Sequence, residues 1–167
     1  MPTSIRTGSG SVGEHRSPIG SPPRSGDGVL LEDQTGMALV RRFSDGRRPG
    51  TAGRGSGGLE WSTSPGELTV EGVCAEERDV DLTHVRAVFR LSGVAARSVL
   101  EKVCALDLAD DMFPAGAAGR TVVAGVVTEL VRDDRDGIPS YLLVPSRSFA
   151  ASLWDAVVDA GAEYGMN

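Results

Sequence analysis

Residues Val85–Leu108 read VRAVFRLSGVAARSVLEKVCALDL, and two periodicities meet inside them. Val85, Ala87, Phe89 and Leu91 alternate with Arg86, Val88 and Arg90, the period-2 pattern of a strand with one face on a core. Ser92 and Gly93 punctuate the chain, glycine giving the backbone the freedom for a sharp reversal. Beyond them Ala96, Val99, Leu100, Val103 and Cys104 recur at i, i+3, i+4, i+7 and i+8, one stripe of a helix. Arg97, Ser98, Glu101 and Lys102 fill the opposite face. A strand that turns directly into an amphipathic helix buries both stripes by laying the helix on its own sheet. The stretch therefore predicts an α+β fold, with an antiparallel or mixed sheet and its helices on one face.

Working outward toward the C-terminus, Ala109–Gly119 reads as a loop. Arg120–Val131 is β-branched and apolar, broken at Ala124-Gly125, and reads as two strands around a tight turn or one strand with a bulge. Asp133–Gly137 (DDRDG) is a hairpin loop ending in Asp-Gly, and Ser140–Val144 is the returning strand. Ser146 is placed to cap a last helix whose face is Ala150, Leu153, Trp154, Val157 and Val158, and Gly161 stops it. The order expected from Val80 is β-α-β-β-α. Working back toward the N-terminus, Val80 to Leu91 feeds the central strand and Val73–Asp79 is a polar connection. Leu59–Gly72 (LEWSTSPGELTVEG) turns at Pro65-Gly66 before a short strand at Glu67–Val70. Ser44–Gly58 is a Gly/Arg-rich loop. Val29–Phe43 holds two apolar runs split at Thr35-Gly36, a hairpin or a strand with a partial helix. Residues 1–28 are Gly, Ser, Pro and Arg with two isolated Ile, too little apolar surface to offset the ordering entropy, and are expected to be a disordered tail. Residues 29–167 then form a single domain.

The chain has 167 residues, a net charge of −6 and 40% hydrophobic content. Charge is uneven: residues 1–58 carry eight Arg against five acids, and the remainder nine basic against eighteen acidic residues. An acidic folded part argues against nucleic-acid binding, which needs a basic stripe. No run of eighteen apolar residues and no secretory h-region occur, so no membrane span is expected and the cytoplasm is the expected compartment.

The residues that carry chemistry in other proteins lack the frames that chemistry needs. Gly8, Gly10 and Gly13, and again Gly53, Gly55 and Gly58, spell GxGxxG. Neither set follows a predicted strand and opens a helix, as a dinucleotide site requires. Cys74 and Cys104 lie far apart, and Cys104 sits on the helix's apolar stripe as a small hydrophobe. Asp81 and His84 could orient a proton transfer, but in an extended chain i and i+3 point to opposite faces. The structural reading places His84 at the strand's start. Asp107, Asp110 and Asp111 lack the ligand frame of a calcium loop, as do Asp133, Asp134 and Asp136. No residue is assigned to catalysis or to a metal, and none is assigned to a cofactor.

Four pieces resemble the γ subunit of heterotetrameric sarcosine oxidase, within the superfamily of the glycine-cleavage T-protein, a folate-dependent aminomethyltransferase. They are Asp81–Gly93 (DLTHVRAVFRLSG), Ala95–Leu108 (AARSVLEKVCALDL), Phe113–Thr121 (FPAGAAGRT) and Tyr141–Gly165, the last with SRSFAASLW and EYG. They make residues 80–167 the best-matched part. Leu59–Gly72 resembles a weaker form of the family's tryptophan hairpin. The chain departs from the pattern at Val73–Asp79, where the family places a helix, and in its N-terminal third. The T-protein's acidic catalytic motif is missing from Val122–Arg132. The resemblance implies a non-catalytic subunit that packs on a large α flavoprotein subunit, beside a β flavoprotein subunit. FAD, FMN, NAD and tetrahydrofolate would belong to those partners. Two other readings stay open: a small folate-binding or one-carbon-transfer accessory protein, and a stand-alone scaffold or regulatory module. The shortened first layer implies an apolar surface covered by a partner, and the contact is expected at Trp61, Phe113 and Pro114.

Overall fold

The computed structural model describes residues 21–55 and 57–167. Eleven strands appear among them: β1 (Arg24–Gly26), β2 (Val29–Asp33), β3 (Leu39–Phe43), β4 (Thr51–Arg54), β5 (Leu59–Ser62), β6 (Glu67–Glu71), β7 (Val80–Asp81), β8 (Phe89–Ser92), β9 (Ala118–Val123), β10 (Val126–Arg132) and β11 (Ser140–Pro145). Two α-helices join them, α1 (Ala96–Glu101) and α2 (Ala150–Ala160). One sheet runs β1-β2-β8-β11-β10-β9 and the other β4-β5-β6-β3-β7. Every pairing is antiparallel.

Side-chain alternation sorts the core into layers. Phe89 and Leu91 of β8, Tyr141 and Leu143 of β11, and Leu130 of β10 pack against Ala96, Val99 and Leu100 of α1 and Leu153, Trp154 and Val157 of α2. Phe89 meets Trp154 edge to face at a centroid distance of 5.2 Å. The intervening residues, Val88, Leu142, Val144 and Val131, face the second sheet and pack on Leu39, Ala52, Leu59, Trp61 and Leu82. The order of layers is helices, first sheet, second sheet. The α+β fold with helices on one face of the central sheet is what the Val85–Leu108 stretch implies.

Several elements differ from the sequence expectation. The strand is confined to Phe89–Ser92, because Leu82–Arg86 is a turn and Val80–Asp81 pairs with β3 in the other sheet. The helix stops at Glu101. Val103 and Cys104 keep one more helical turn through the Leu100 carbonyl, and Cys104 then bridges to Val123 of β9. Ala124 and Gly125 both have positive φ, 49° and 80°, so Arg120–Val131 is two strands around a tight turn. The segment from Val80 thus runs β-β-α-β-β-β-α. β2 and β3 are neither a hairpin nor a strand and helix; they belong to different sheets. The loop expected over Ser44–Gly58 contains β4. Ser146 makes no side-chain cap, and a 3-10 turn at Arg147–Phe149 precedes α2, whose C-cap is Gly161.

The disordered tail expected over 1–28 lies outside the described residues as far as Gly20. Within its remainder Arg24–Gly26 pairs with β2, and the segment that follows α2 holds it in place. Asp27 N–H donates to the Tyr164 carbonyl at 2.6 Å, and Arg24 Nη1 to the Asn167 carbonyl at 2.6 Å. Pairing supplies what apolar content does not.

Candidate functional site

The two sheets touch through two polar clusters that sit where a site would be sought. In the first, Glu129 projects from β10 into the layer between the sheets. It accepts from Arg41 Nη2 at 2.9 Å, Trp61 Nε1 at 3.2 Å and Thr63 Oγ1 at 3.1 Å. Three donors, one of them a guanidinium, fix this buried carboxylate between the sheets.

The second cluster lies where β4 meets the loop before β9. Ala52 N–H donates to the Gly116 carbonyl at 2.7 Å, and Ala118 N–H to the Gly50 carbonyl at 2.9 Å, stitching the sheets along one edge. Asp133 Oδ2 accepts from Arg54 Nη2 at 2.8 Å and from Arg90 Nη2 at 3.2 Å, one guanidinium from each sheet. Arg90 is 2% exposed and also donates to Ser140 Oγ at 2.7 Å. Arg132 grips Asp134 through both carboxylate oxygens and reaches Asp110 at 2.6 Å and the Phe113 carbonyl at 2.9 Å. The Asp134 and Asp110 carboxylates hold the Arg132 guanidinium above its ordinary range, and Asp110 is held low in return. A cavity of about 130 Å³ opens here between Ala52, Gly53, Arg54, Gly116, Arg132 and Asp133. Its charges are spent on one another. Ser140 Oγ accepts from a guanidinium, which cannot serve as a base. The chemistry of both clusters is the joining of sheets.

One buried carboxylate stands apart. Glu71, 8% exposed, faces the same layer as Arg90, and its Oε2 has no hydrogen-bond partner among the described residues. Burial pushes it above the usual carboxylate range, outweighing the pull of Arg90 and Arg54. The sequence signal for it is only an acid directly after the short strand expected at Glu67–Val70.

The residues singled out from sequence are dispersed. Trp61 is 0% exposed and lies between the sheets, and Phe113 at 6% packs on the helix side. Neither ring offers surface; of the three expected contact residues only Pro114 is exposed. Cys104 is half-buried, and burial raises its thiol above the ordinary value, against hydrogen bonds to Thr121 and to the Leu106 backbone. His84 is exposed in the turn before β8. Asp81 Oδ1 accepts from Thr83 N–H at 2.9 Å and is held low mainly by Thr83. Asp107 accepts from Ala109 N–H at 2.9 Å. No group of three or more His, Cys, Asp or Glu is gathered for a metal among the described residues. Gly53 lies within β4 and Gly58 precedes β5, a hairpin with no helix after it; Gly8, Gly10 and Gly13 lie outside the described residues. Among the described residues no helix is long and apolar enough to cross a membrane.

The architecture has a counterpart among solved structures. The chain superposes with a TM-score of 0.72 on a chain of the heterotetrameric sarcosine oxidase from Corynebacterium sp. U-96 in complex with pyrrole 2-carboxylate. The chain has the fold of a sarcosine oxidase subunit. The match covers 87% of this chain and 90% of that one, at 22% identity. Over 87 residues the chain is also 29% identical to human mitochondrial dimethylglycine dehydrogenase, a stretch that is 52% of this chain and 10% of the enzyme's length. No family model matches the chain. At 87% coverage the match reaches into the N-terminal third as well, where the residues carry no clear resemblance.

Proposed function

We propose that this chain is a non-catalytic, γ-like subunit of a cytoplasmic sarcosine oxidase-type complex, which oxidises N-methylglycine and passes the released carbon to folate. The observation that carries this reading is the extent of the structural match: nine-tenths of a subunit from a heterotetrameric oxidase is reproduced, with few residues on either side left over. The site chemistry supports it, since both polar clusters are closed on themselves and supply no nucleophile held by a base. In this reading the large α and β flavoprotein subunits hold FAD, FMN, NAD and tetrahydrofolate, and this chain acts by packing against the α subunit. Pro114, exposed beside the buried Phe113, remains available for that contact.

The test is co-expression of the full chain with α and β flavoprotein subunits of this type, followed by size-exclusion chromatography and an assay of sarcosine oxidation. Co-elution is expected, with turnover in the complex and none in the chain alone. Sarcosine turnover or tight tetrahydrofolate binding by the isolated chain would favour the accessory one-carbon protein instead. A monomer that ignores flavoprotein subunits would leave the stand-alone scaffold.

A further inference from the structure

Most of the exposed large apolar side chains of the described residues are gathered at one end. Nine are exposed: Phe43, Val80, Val85, Val94, Met112, Val122, Val127, Ile138 and Phe149. Register fixes where Phe43, Val122 and Val127 lie. Arg41 of β3 pairs with Glu129 of β10 across the layer between the sheets. Phe43 stands two residues beyond Arg41 on the same face of β3, and Val127 two residues beyond Glu129 on the same face of β10. Val122 is the cross-strand partner of Val127. The three side chains therefore continue the intersheet core past its last polar closure, and there they are uncovered, Phe43 at 73% exposure. Val80 lies beside Arg41 on β7, and Val85 accepts a backbone hydrogen bond from Arg147, two residues before Phe149. Six of the nine thus belong to this end.

Charge around it is divided. Thr128 is opposite Pro145 and Arg86 bridges to Ser146, so Arg86 shares a row with Val127 and Val122, about 10 Å from the first and about 14 Å from the second at the usual strand spacing. Arg120 is the cross-strand partner of Glu129. Arg86, Arg120 and Arg147 have no carboxylate within ion-pair distance among the described residues, while most other described arginines do. The acids nearby are on the second sheet's side: Glu67 opposite Phe43, and Glu76, Asp79 and Asp81 toward β7. A cleft of about 430 Å³ between Phe43, Arg42 and Asp79 adds a recess beside the Phe43 ring.

We propose that this end of the sandwich, Phe43, Val122 and Val127 rimmed by Arg86, Arg120 and Arg147, docks an acidic, apolar-faced segment of a partner protein. The inference rests on the reading of the chain as a subunit of a larger assembly and names a surface that subunit uses besides the one at Pro114. The charge argues the occupant. On a chain of net −6, three of the six described arginines without a carboxylate partner lie beside the largest exposed apolar cluster, and a segment bearing Asp or Glu neutralises them while its apolar face covers the valines. The acids by β7 repel such carboxylates and so orient the segment with its charges toward the first sheet.

The experiment measures binding of the full chain to the co-expressed flavoprotein subunits at low and high salt, for the wild type, two test variants and two control variants. Phe43→Asp is expected to weaken binding at least about 100-fold, as for a lost central anchor. Arg86→Glu with Arg120→Glu should weaken it about 10- to 100-fold and remove the salt dependence seen in the wild type. Ile138→Asp and Val94→Asp, outside this end, should bind as the wild type, and unchanged melting curves show that all variants are folded. Wild-type affinity in the Phe43 and Arg variants overturns the surface while the subunit reading stands. No binding by the wild type removes both. Self-association of the wild type that Phe43→Asp abolishes assigns the face to a second copy and overturns the acidic partner.

Discussion

Trp61 shows how a single aromatic can be misplaced by pattern and then explain the fold. Flanked by Ser, Thr and Pro, it resembles an exposed anchor; alternation along a strand of four residues sends it inward instead, onto Glu129 and the apolar layer between the sheets. Trp61→Ala is accordingly expected to cost about 3–5 kcal/mol of stability, read by urea denaturation; a loss below about 1 kcal/mol would contradict its place in the core. Glu71 makes the opposite kind of contribution. Its raised proton affinity means that, between the ordinary carboxylate range and its elevated value, the folded state holds more protons than the unfolded one. Stability contributed by its neutral form is present at low pH and lost as pH rises through that window. Glu71→Gln should then raise the melting temperature at pH 7 and do little at pH 4. An equal shift at both values would show that Glu71 titrates as in the unfolded chain.

At the scale of elements, the β9–β10 hairpin carries a mismatch between residue and turn. Ala124 has φ 49°, in the left-handed region that costs a residue with a Cβ about 1–2 kcal/mol and suits Asn or Gly. Ala124→Asn should raise stability by a few tenths to about 1 kcal/mol, measured by thermal melting; a decrease would mean the turn depends on the alanine methyl. The second hairpin, Asp136-Gly137 with φ 52° and 76°, has the residues its turn demands and was plain in the sequence. So were β11, α2 and the switch of period at Gly93, because each keeps its repeat for several residues. The helix after Gly93 is shorter than its apolar repeat: Val103 and Cys104 hold the helical spacing, yet the Cys104 bridge to Val123 ends the element, a non-local event with no local mark. That bridge and the half-buried thiol predict slow alkylation of Cys104 beside rapid labelling of the exposed Cys74. Equal rates would place Cys104 outside the packed layer. The second sheet was the least legible part. Its strands run from two to five residues, and the five residues after Asp33 send the chain from one sheet to the other. Asp33 Oδ1 caps Thr35 N–H at 2.9 Å, and Gln34 N–H donates to the Val88 carbonyl at 2.8 Å.

For the molecule as a whole, the question is whether two sheets with short strands unfold as one body. Apolar packing between them is interrupted by charge at both ends, so the polar joints decide the coupling. Along with Glu129, Asp133 is a joint that spans them, taking Arg90 from the first sheet and Arg54 from the second, with Arg135 at 3.5 Å. Arg54 is 53% exposed, so its pair contributes little. Arg90 is different. Its guanidinium is 2% exposed, burial lowers its proton affinity, and its Nε already lacks a partner. Removing Asp133 strands a buried cation, a loss of about 3–5 kcal/mol. Removing the cation as well should cancel most of that loss, because a buried pair exchanged for apolar side chains of similar volume is close to neutral. Asp133→Ala is therefore expected to lower the urea midpoint sharply, and Arg90→Met in the same chain to restore it. Both should unfold in one transition seen alike by Trp61, between the sheets, and Trp154, under the helices. Failure of Arg90→Met to rescue would mean that Asp133 acts through Arg54 or the loop backbone, and separate Trp61 and Trp154 transitions would show that the sheets are not coupled through this joint.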